Sequence, residues 1–318
     1  TPSEVASALR SLDVNKASGP NGISAGLLKE TAEQIAPSLT ILYNKSLESC
    51  VFPDEWKLAN IVPVYKKDNR EYVENYRPIS LLAIISKVLE RCVLSRIRDN
   101  LLQMLDRAQH GFIPGKSCVS QLVEVIDYTG ALLDSGEQTG IVYLHMSKAF
   151  DKVQHSLILA KLQQYNICGS LFSWFKSYLN GRRQRVTVLG ATSQEQMVTS
   201  GVPQGSILGP VLFLLYVNDL PQTVKSSKVA CFADDTKVIK QVGKAQDTVG
   251  LQSDMENINS WTANNGLKFN ETKCKCQRIT RKKTPIEYSY SIDGQVISSV
   301  NQEKDLGVWV SNDLTWKK

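Results

Sequence analysis

No apolar run in this chain reaches the roughly 18–20 residues that a membrane-spanning helix requires. The densest, Ile207 to Val217, has the length of a buried core helix. The chain also lacks any C-x-x-C pair. Its seven cysteines stand at 50, 92, 118, 168, 231, 274 and 276, an odd and scattered set. Cys274 and Cys276 have no nearby partners of the kind a zinc site needs, so reduced and mostly buried thiols are predicted. Glycine (19) and proline (11) are too sparse for a collagen-like or low-complexity chain. Thr1-Pro2-Ser3 opens without an initiator Met and without a charged-then-apolar leader. The expectation is an intracellular piece of a longer protein, in nucleus or cytoplasm, with no membrane partner.

What is present is ordinary for a globular chain. Of 318 residues, 42% are hydrophobic and 21% charged, enough to bury a substantial core in two subdomains. Lys and Arg exceed Asp and Glu by 37 − 31 = 6, which permits a polyanionic partner without demonstrating one.

Helical spacing begins behind Ser3, a candidate N-cap, with Val5, Ala8, Leu9 and Leu12 apolar. Lys16 to Gly22 has turn chemistry. A helix is predicted over about 31–49, carrying Ile35, Leu39, Leu42 and Leu47. Another follows Tyr76-Arg77-Pro78, with Val88, Leu89, Cys92, Val93 and Ile97 inward and Lys87, Glu90, Arg91 and Arg98 on its polar side. Short strands are predicted at 59–64 and 141–144, and hairpins from 186–188 with 197–199 and 229–232 with 237–239. The second hairpin closes around Ala233-Asp234-Asp235-Thr236. Leu251, Met255, Ile258 and Trp261 mark a helix ending at Asn265-Gly266. There is no internal repeat, and the element order argues α+β.

Adjacent aspartates at a hairpin tip are, taken alone, most often a solvated turn. Here they follow a Gly/Pro-rich loop, Ser200 to Pro210, which opens into the apolar helix. Loop, buried helix and Asp-Asp hairpin in this order resemble the reverse transcriptases of non-LTR (LINE-type, jockey-like) retrotransposons. The resemblance runs nearly the whole chain: Lys16-Ala17-Ser18-Gly19-Pro20, Trp56 to Lys67, Asn75 to Leu82, Gln109-His110-Gly111-Phe112, Ser147 to Val153, Phe232 to Thr236, and Lys304 to Val308.

The resemblance implies a right-hand polymerase fold, with fingers over 1–135 and palm over 136–318, the chain ending near the start of a thumb at Trp316-Lys317-Lys318. It implies an RNA-directed DNA polymerase that uses an RNA template, a DNA primer and dNTPs, with two Mg²⁺ ions held by three aspartates. Asp234 and Asp235 match two of them. At the third position, after Tyr143-Leu144, stands His145. An imidazole offers one nitrogen where two metals need a bridging anionic oxygen, and it favours later metals over Mg²⁺. Severe impairment of Mg²⁺-dependent polymerisation is therefore predicted. The resemblance also implies that Phe150 is the aromatic gate against a ribose hydroxyl and that Gln204 and Gly205 lie beside the nucleotide. By the same resemblance Arg77 and Lys66 grip the triphosphate and Leu306-Gly307 meets the primer. Two acid-free basic runs, Arg182-Arg183-Gln184-Arg185 and the one containing Lys273 and Lys275, are candidate nucleic-acid contacts. No protein partner is implied. A non-catalytic nucleic-acid-binding protein and an inert retroelement fragment stay open as alternatives.

Overall fold

The computed structural model describes residues 1–315; the expected thumb boundary at Trp316-Lys317-Lys318 lies outside the described residues. The chain folds as two compact units, each made of two segments: 1–104 with 153–215, and 105–152 with 216–318. Helices and largely antiparallel sheets make up both, the mixed architecture that the element order predicts. Among the described residues no helix is long and apolar enough to cross a membrane, and all seven cysteines are free of disulfides.

The first unit begins with α1 (Pro2–Arg10), α2 (Ala25–Glu30) and α3 (Ala32–Glu48). Thr1, not Ser3, caps α1: its Oγ1 accepts the Glu4 N–H while Glu4 reaches back, a capping box with Pro2 in the first turn. Strand β1 (Leu58–Tyr65) pairs antiparallel with β2 (Tyr76–Leu81), and α4 (Ile84–Met104) follows. Pro63 and Pro78 face each other in that pairing. Both are tolerated because β2 is an edge strand and β1 meets its other neighbour only over 58–61.

The chain then passes into the second unit through α5 (Cys118–Asp134) and β3 (Thr139–His145). It returns to the first for α6 (His155–Gln164), α7 (Gly169–Leu179) and β4 (Arg183–Val188), which lies parallel to β1. Two short strands, β5 (Ala191–Thr192) and β6 (Gln196–Met197), pair back on β4 at 187–188 and 183–184. A hairpin forms here, but 186–188 does not pair with 197–199 as predicted: the chain reverses earlier, at Leu189-Gly190. An aromatic knot centres this unit. The Phe52 ring meets Trp56, Trp174 and Tyr178 edge-on at 5.8, 5.5 and 5.0 Å.

The apolar helix α8 (Gly209–Val217) leads into the hairpin β7 (Lys228–Phe232) and β8 (Asp235–Gln241), then α9 (Ala245–Asn264). Strand β9 (Lys275–Ile279) precedes two short strands, β10 (Ser291–Ile292) and β11 (Gln295–Val296). After β12 (Ser298–Val300), the hairpin β13 (Gln302–Asp305) and β14 (Val308–Ser311) ends the described chain. The second unit's sheet has the order β12-β9-β3-β8-β7.

Register makes one face of this sheet legible. Ile141, Tyr143 and His145 of β3 stand beside Ile239, Lys237 and Asp235 of β8, and Gln277 and Lys275 of β9 lie opposite Ile141 and Tyr143. At one end Ile141, Ile239 and Ile279 form a core with Val125 and Leu133 of α5 and Val310 of β14. Toward the other end the same face turns polar. Alternation of side chains along the strands thus carries the sheet from apolar core at Ile141 and Ile239 to a charged rim at His145 and Asp235, four residues along each strand.

Candidate active site

The charged rim is the candidate centre. His145 ends β3 directly opposite Asp235, the first residue of β8, and its Nδ1 lies 2.8 Å from Asp235 Oδ1. Both side chains are partly open to solvent, 33% and 45% exposed. Asp234 sits in the two-residue turn between Phe232 and Asp235, preceded by Ala233 in the left-handed region with φ 55°.

A segment before α5 braces that turn. Cys231 N–H donates to Ala108 O at 2.8 Å, and His110 N–H to Cys231 O at 2.9 Å. Gln109 Oε1 accepts from Ala233 N–H and Gly111 N–H, both at 2.8 Å. A Cβ at Gly111 would stand 2.4 Å from Ala233 N, so the backbone approach demands glycine there.

A cavity of about 330 Å³ opens at the rim, lined by His145 and Asp235 together with Lys273, Lys275, Glu303 and Leu306. The β13–β14 hairpin is anchored beside it by a buried ion pair: Lys237 Nζ to Asp305 Oδ2 at 2.6 Å, the side chains 2% and 4% exposed. Gln121 Oε1 accepts a further bond from Lys237 at 2.6 Å. Burial pushes the Lys237 ammonium below its ordinary pKa and the Asp305 carboxyl above its own, and each partner's charge opposes the shift. Leu306 and Gly307 form the hairpin tip, with φ of 44° and 96°. Phe150 stands in the short turn Ala149–Asp151 after β3, and Phe112 meets it edge to face, with centroids 6.1 Å apart and planes at 82°.

The first unit carries the other expected residues. Arg77 is exposed on β2, opposite Val64. Lys66 is exposed just past β1, its N–H bonded to Asn75 O. The 203–206 loop rests on the same strand: Ser80 N–H donates to Gln204 O at 2.8 Å, and a Cβ at Gly205 would meet Ser80 O at 2.5 Å. Arg77, Gln204 and Gly205 are therefore joined through one strand.

Two residues depart from the sequence reading. Glu90, expected on the polar side of α4, is fully buried and accepts the N–H groups of Ile207 and Leu208 at 2.8 and 3.0 Å. It supplies donors at the entry to α8 with their acceptor, and burial raises its pKa. Arg182, expected to contact nucleic acid, is 2% exposed. Its guanidinium lies 4.9 Å from the Tyr178 ring centroid and donates to Tyr178 O, so it is withdrawn as a surface contact. Arg183 pairs with Glu195 at the surface, and Arg185 donates to Asn60 across the β1–β4 pair. A lone acid or a run of arginines carries no local signal of burial. Gln109, Gly111 and Glu90 were legible only as motif or helix residues without a role.

The family model for reverse transcriptase (RNA-dependent DNA polymerase) matches residues 64–292. The chain belongs to the reverse transcriptase family. It is 34% identical to the probable RNA-directed DNA polymerase from transposon X-element of Drosophila melanogaster, over 100% of this chain and 36% of that protein. Identity is 30% to the probable RNA-directed DNA polymerase from transposon BS of the same species, over 98% and 36%. It is 28% to the RNA-directed DNA polymerase from mobile element jockey, over 100% and 36%. The non-LTR branch read from the motifs is the one these relatives occupy, and this reverse transcriptase chain spans about a third of their length.

Reverse transcriptases work with divalent metal ions, and the donor set at the rim does not fit a pair of Mg²⁺. Mg²⁺ asks for hard oxygens in near-octahedral geometry. The rim offers Asp234, Asp235 and the imidazole of His145, whose Nδ1 lies 2.8 Å from Asp235 Oδ1. Among the described residues no three His, Cys, Asp or Glu side chains converge as a metal site.

Proposed function

We propose that this chain is the polymerase core of a non-LTR retrotransposon protein, fingers over 1–135 and palm over 136–318, built to extend a DNA primer on an RNA template. We infer further that His145 silences its Mg²⁺-dependent chemistry. The observation that carries the second part is the His145–Asp235 contact, which occupies one of the two remaining carboxylates. On this reading Arg77 and Lys66 hold the triphosphate, and Gln204 and Gly205 support the base pair. Phe150 excludes a 2′-hydroxyl, and Leu306-Gly307 seats the primer terminus. Arg183, Arg185, Lys273 and Lys275 follow the phosphate backbone.

The test is primer extension on an RNA template with Mg²⁺ and dNTPs, comparing the chain with His145→Asp. Extension by the variant alone supports both parts. Equal extension by the unmodified chain overturns the silencing. A non-catalytic binding role is favoured by the same contact, since a self-paired His–Asp couple leaves the basic surface intact. Tight, salt-sensitive binding of an RNA–DNA hybrid with no extension by either protein would select that reading.

A further inference from the structure

Gln109-His110-Gly111-Phe112 touches both ends of the candidate centre. At one end the Gln109 carboxamide takes the Ala233 N–H on Oε1, and Nε2 donates to Ala233 O at 3.4 Å. One side chain thus holds both backbone groups of the residue before Asp234. Gly111 closes the contact with no room for a side chain. At the other end the next residue, Phe112, turns its ring edge to face on Phe150.

The segment is itself held firmly. His110 bonds Ser120 Oγ at 3.0 Å through Nδ1 and Glu124 Oε2 at 3.2 Å through Nε2, both on α5. Lys116 Nζ donates to Arg107 O and Gln109 O, each at 2.8 Å. Phe112, Lys148 and Ala233 all take left-handed φ, at 56°, 50° and 55°. That region is unfavourable for residues with a Cβ, above all a bulky one. Three of the ten left-handed non-glycine residues among the described residues thus stand beside the acids and the gate, each held there by its surroundings. Phe112 also remains 53% exposed, so burial alone does not account for an aromatic held in that conformation.

We propose that Gln109–Phe112 is a bracket setting the Phe150 ring relative to the Asp-Asp turn, and that Phe112 is a positioning residue for selection of deoxynucleotides over ribonucleotides. This rests on the polymerase reading, in which Phe150 faces the nucleotide sugar. A gate rejects one hydroxyl by steric contact, so a displacement of a fraction of an ångström relaxes it. Phe112 packs against Phe150 in a T-shaped pair and so limits the room in which that ring can turn.

The experiment uses the full chain carrying His145→Asp, alone and with Phe112→Ala or Phe112→Tyr. The kcat/KM ratio of dNTP to NTP incorporation is measured on one primer–template. Phe112→Ala is expected to lower that ratio roughly three- to tenfold, the scale of one aromatic pair, and Phe112→Tyr to retain it. Where His145→Asp gives no extension, the same ratio is read from dATP and ATP dissociation constants. Fluorescence of 2-aminopurine in the bound primer–template reports these and needs no chemistry. Circular dichroism verifies that each variant is folded. Nucleotide binding with an unchanged ratio in Phe112→Ala overturns the bracket alone. Absence of nucleotide binding by every protein overturns the polymerase reading and the bracket with it.

Discussion

At the scale of single residues, the decisive feature is charge. On the polymerase reading proposed above, His145 takes the place of a carboxylate at the rim, and its Nδ1 lies 2.8 Å from Asp235 Oδ1. Restoring the carboxylate with His145→Asp is expected to raise Mg²⁺-dependent extension by about a hundredfold or more, since metal-centred charge stabilisation is worth several kcal/mol. Single-turnover extension assays measure this directly. Gly111→Ala places a methyl against Ala233 N, where backbone must move. A loss of about 1–3 kcal/mol is expected, read from urea denaturation. The arginines divide by burial. Arg182→Ala should cost about 1–3 kcal/mol, because it removes a buried guanidinium that donates to Tyr178 O and packs on the Tyr178 ring. Arg183→Ala should leave stability nearly unchanged and reduce the salt slope of nucleic-acid binding by about one. Equal effects from the two would refute the division.

At the scale of elements, amphipathic helices were the most readable parts. The 3.6-residue spacing in 251–261 became α9, capped at Asn265 as expected, whereas 31–49 is the helix α3 but buries Ala32, Ala36, Thr40, Tyr43 and Ser46 and leaves Leu42 exposed. Strand β2 was not read because Tyr76-Arg77-Pro78 carries a proline that argues against a strand, and only its place at a sheet edge makes the proline harmless. The N-terminus of α8 gives the element-scale test. Its flanking N–H groups end on Glu90, 117 and 118 residues away in sequence. Glu90→Gln keeps an acceptor and Glu90→Ala removes it. The alanine variant is expected to lose about 1–3 kcal/mol more than the glutamine variant, the cost of orphaned buried donors. Equilibrium urea unfolding of both proteins decides it.

At the scale of the whole molecule, one unit buries a histidine and the other half-buries one. Burial lowers the pKa of His110 in one and of His155 in the other. A histidine with a folded pKa below its unfolded value of about 6.5 favours the neutral form in the fold. Its contribution is therefore complete above about pH 6.5 and is lost as pH falls through the folded values. The urea midpoint should be lower at pH 5.5 than at pH 7.5, and His155→Gln should flatten the dependence. A midpoint that rises on acidification would contradict the sign.

Sequence alone determined the family, the amphipathic helix over 251–261, the Asp-Asp hairpin and the chemical question at residue 145, because motifs and periodicities are written in local residue order. It shows two adjacent aspartates at 234 and 235 and a histidine at 145. Tertiary structure decided what those residues meet. His145 and Asp235 are 90 residues apart, and their contact exists because the β3–β8 register puts them side by side. Arg182 and Glu90 look like surface charges until packing encloses them. Each compact unit is assembled from two separated segments. The physical reason is common to all three. Side-chain chemistry is local, whereas burial and pairing depend on which distant segments a sheet brings together, and no window of neighbouring residues contains that information.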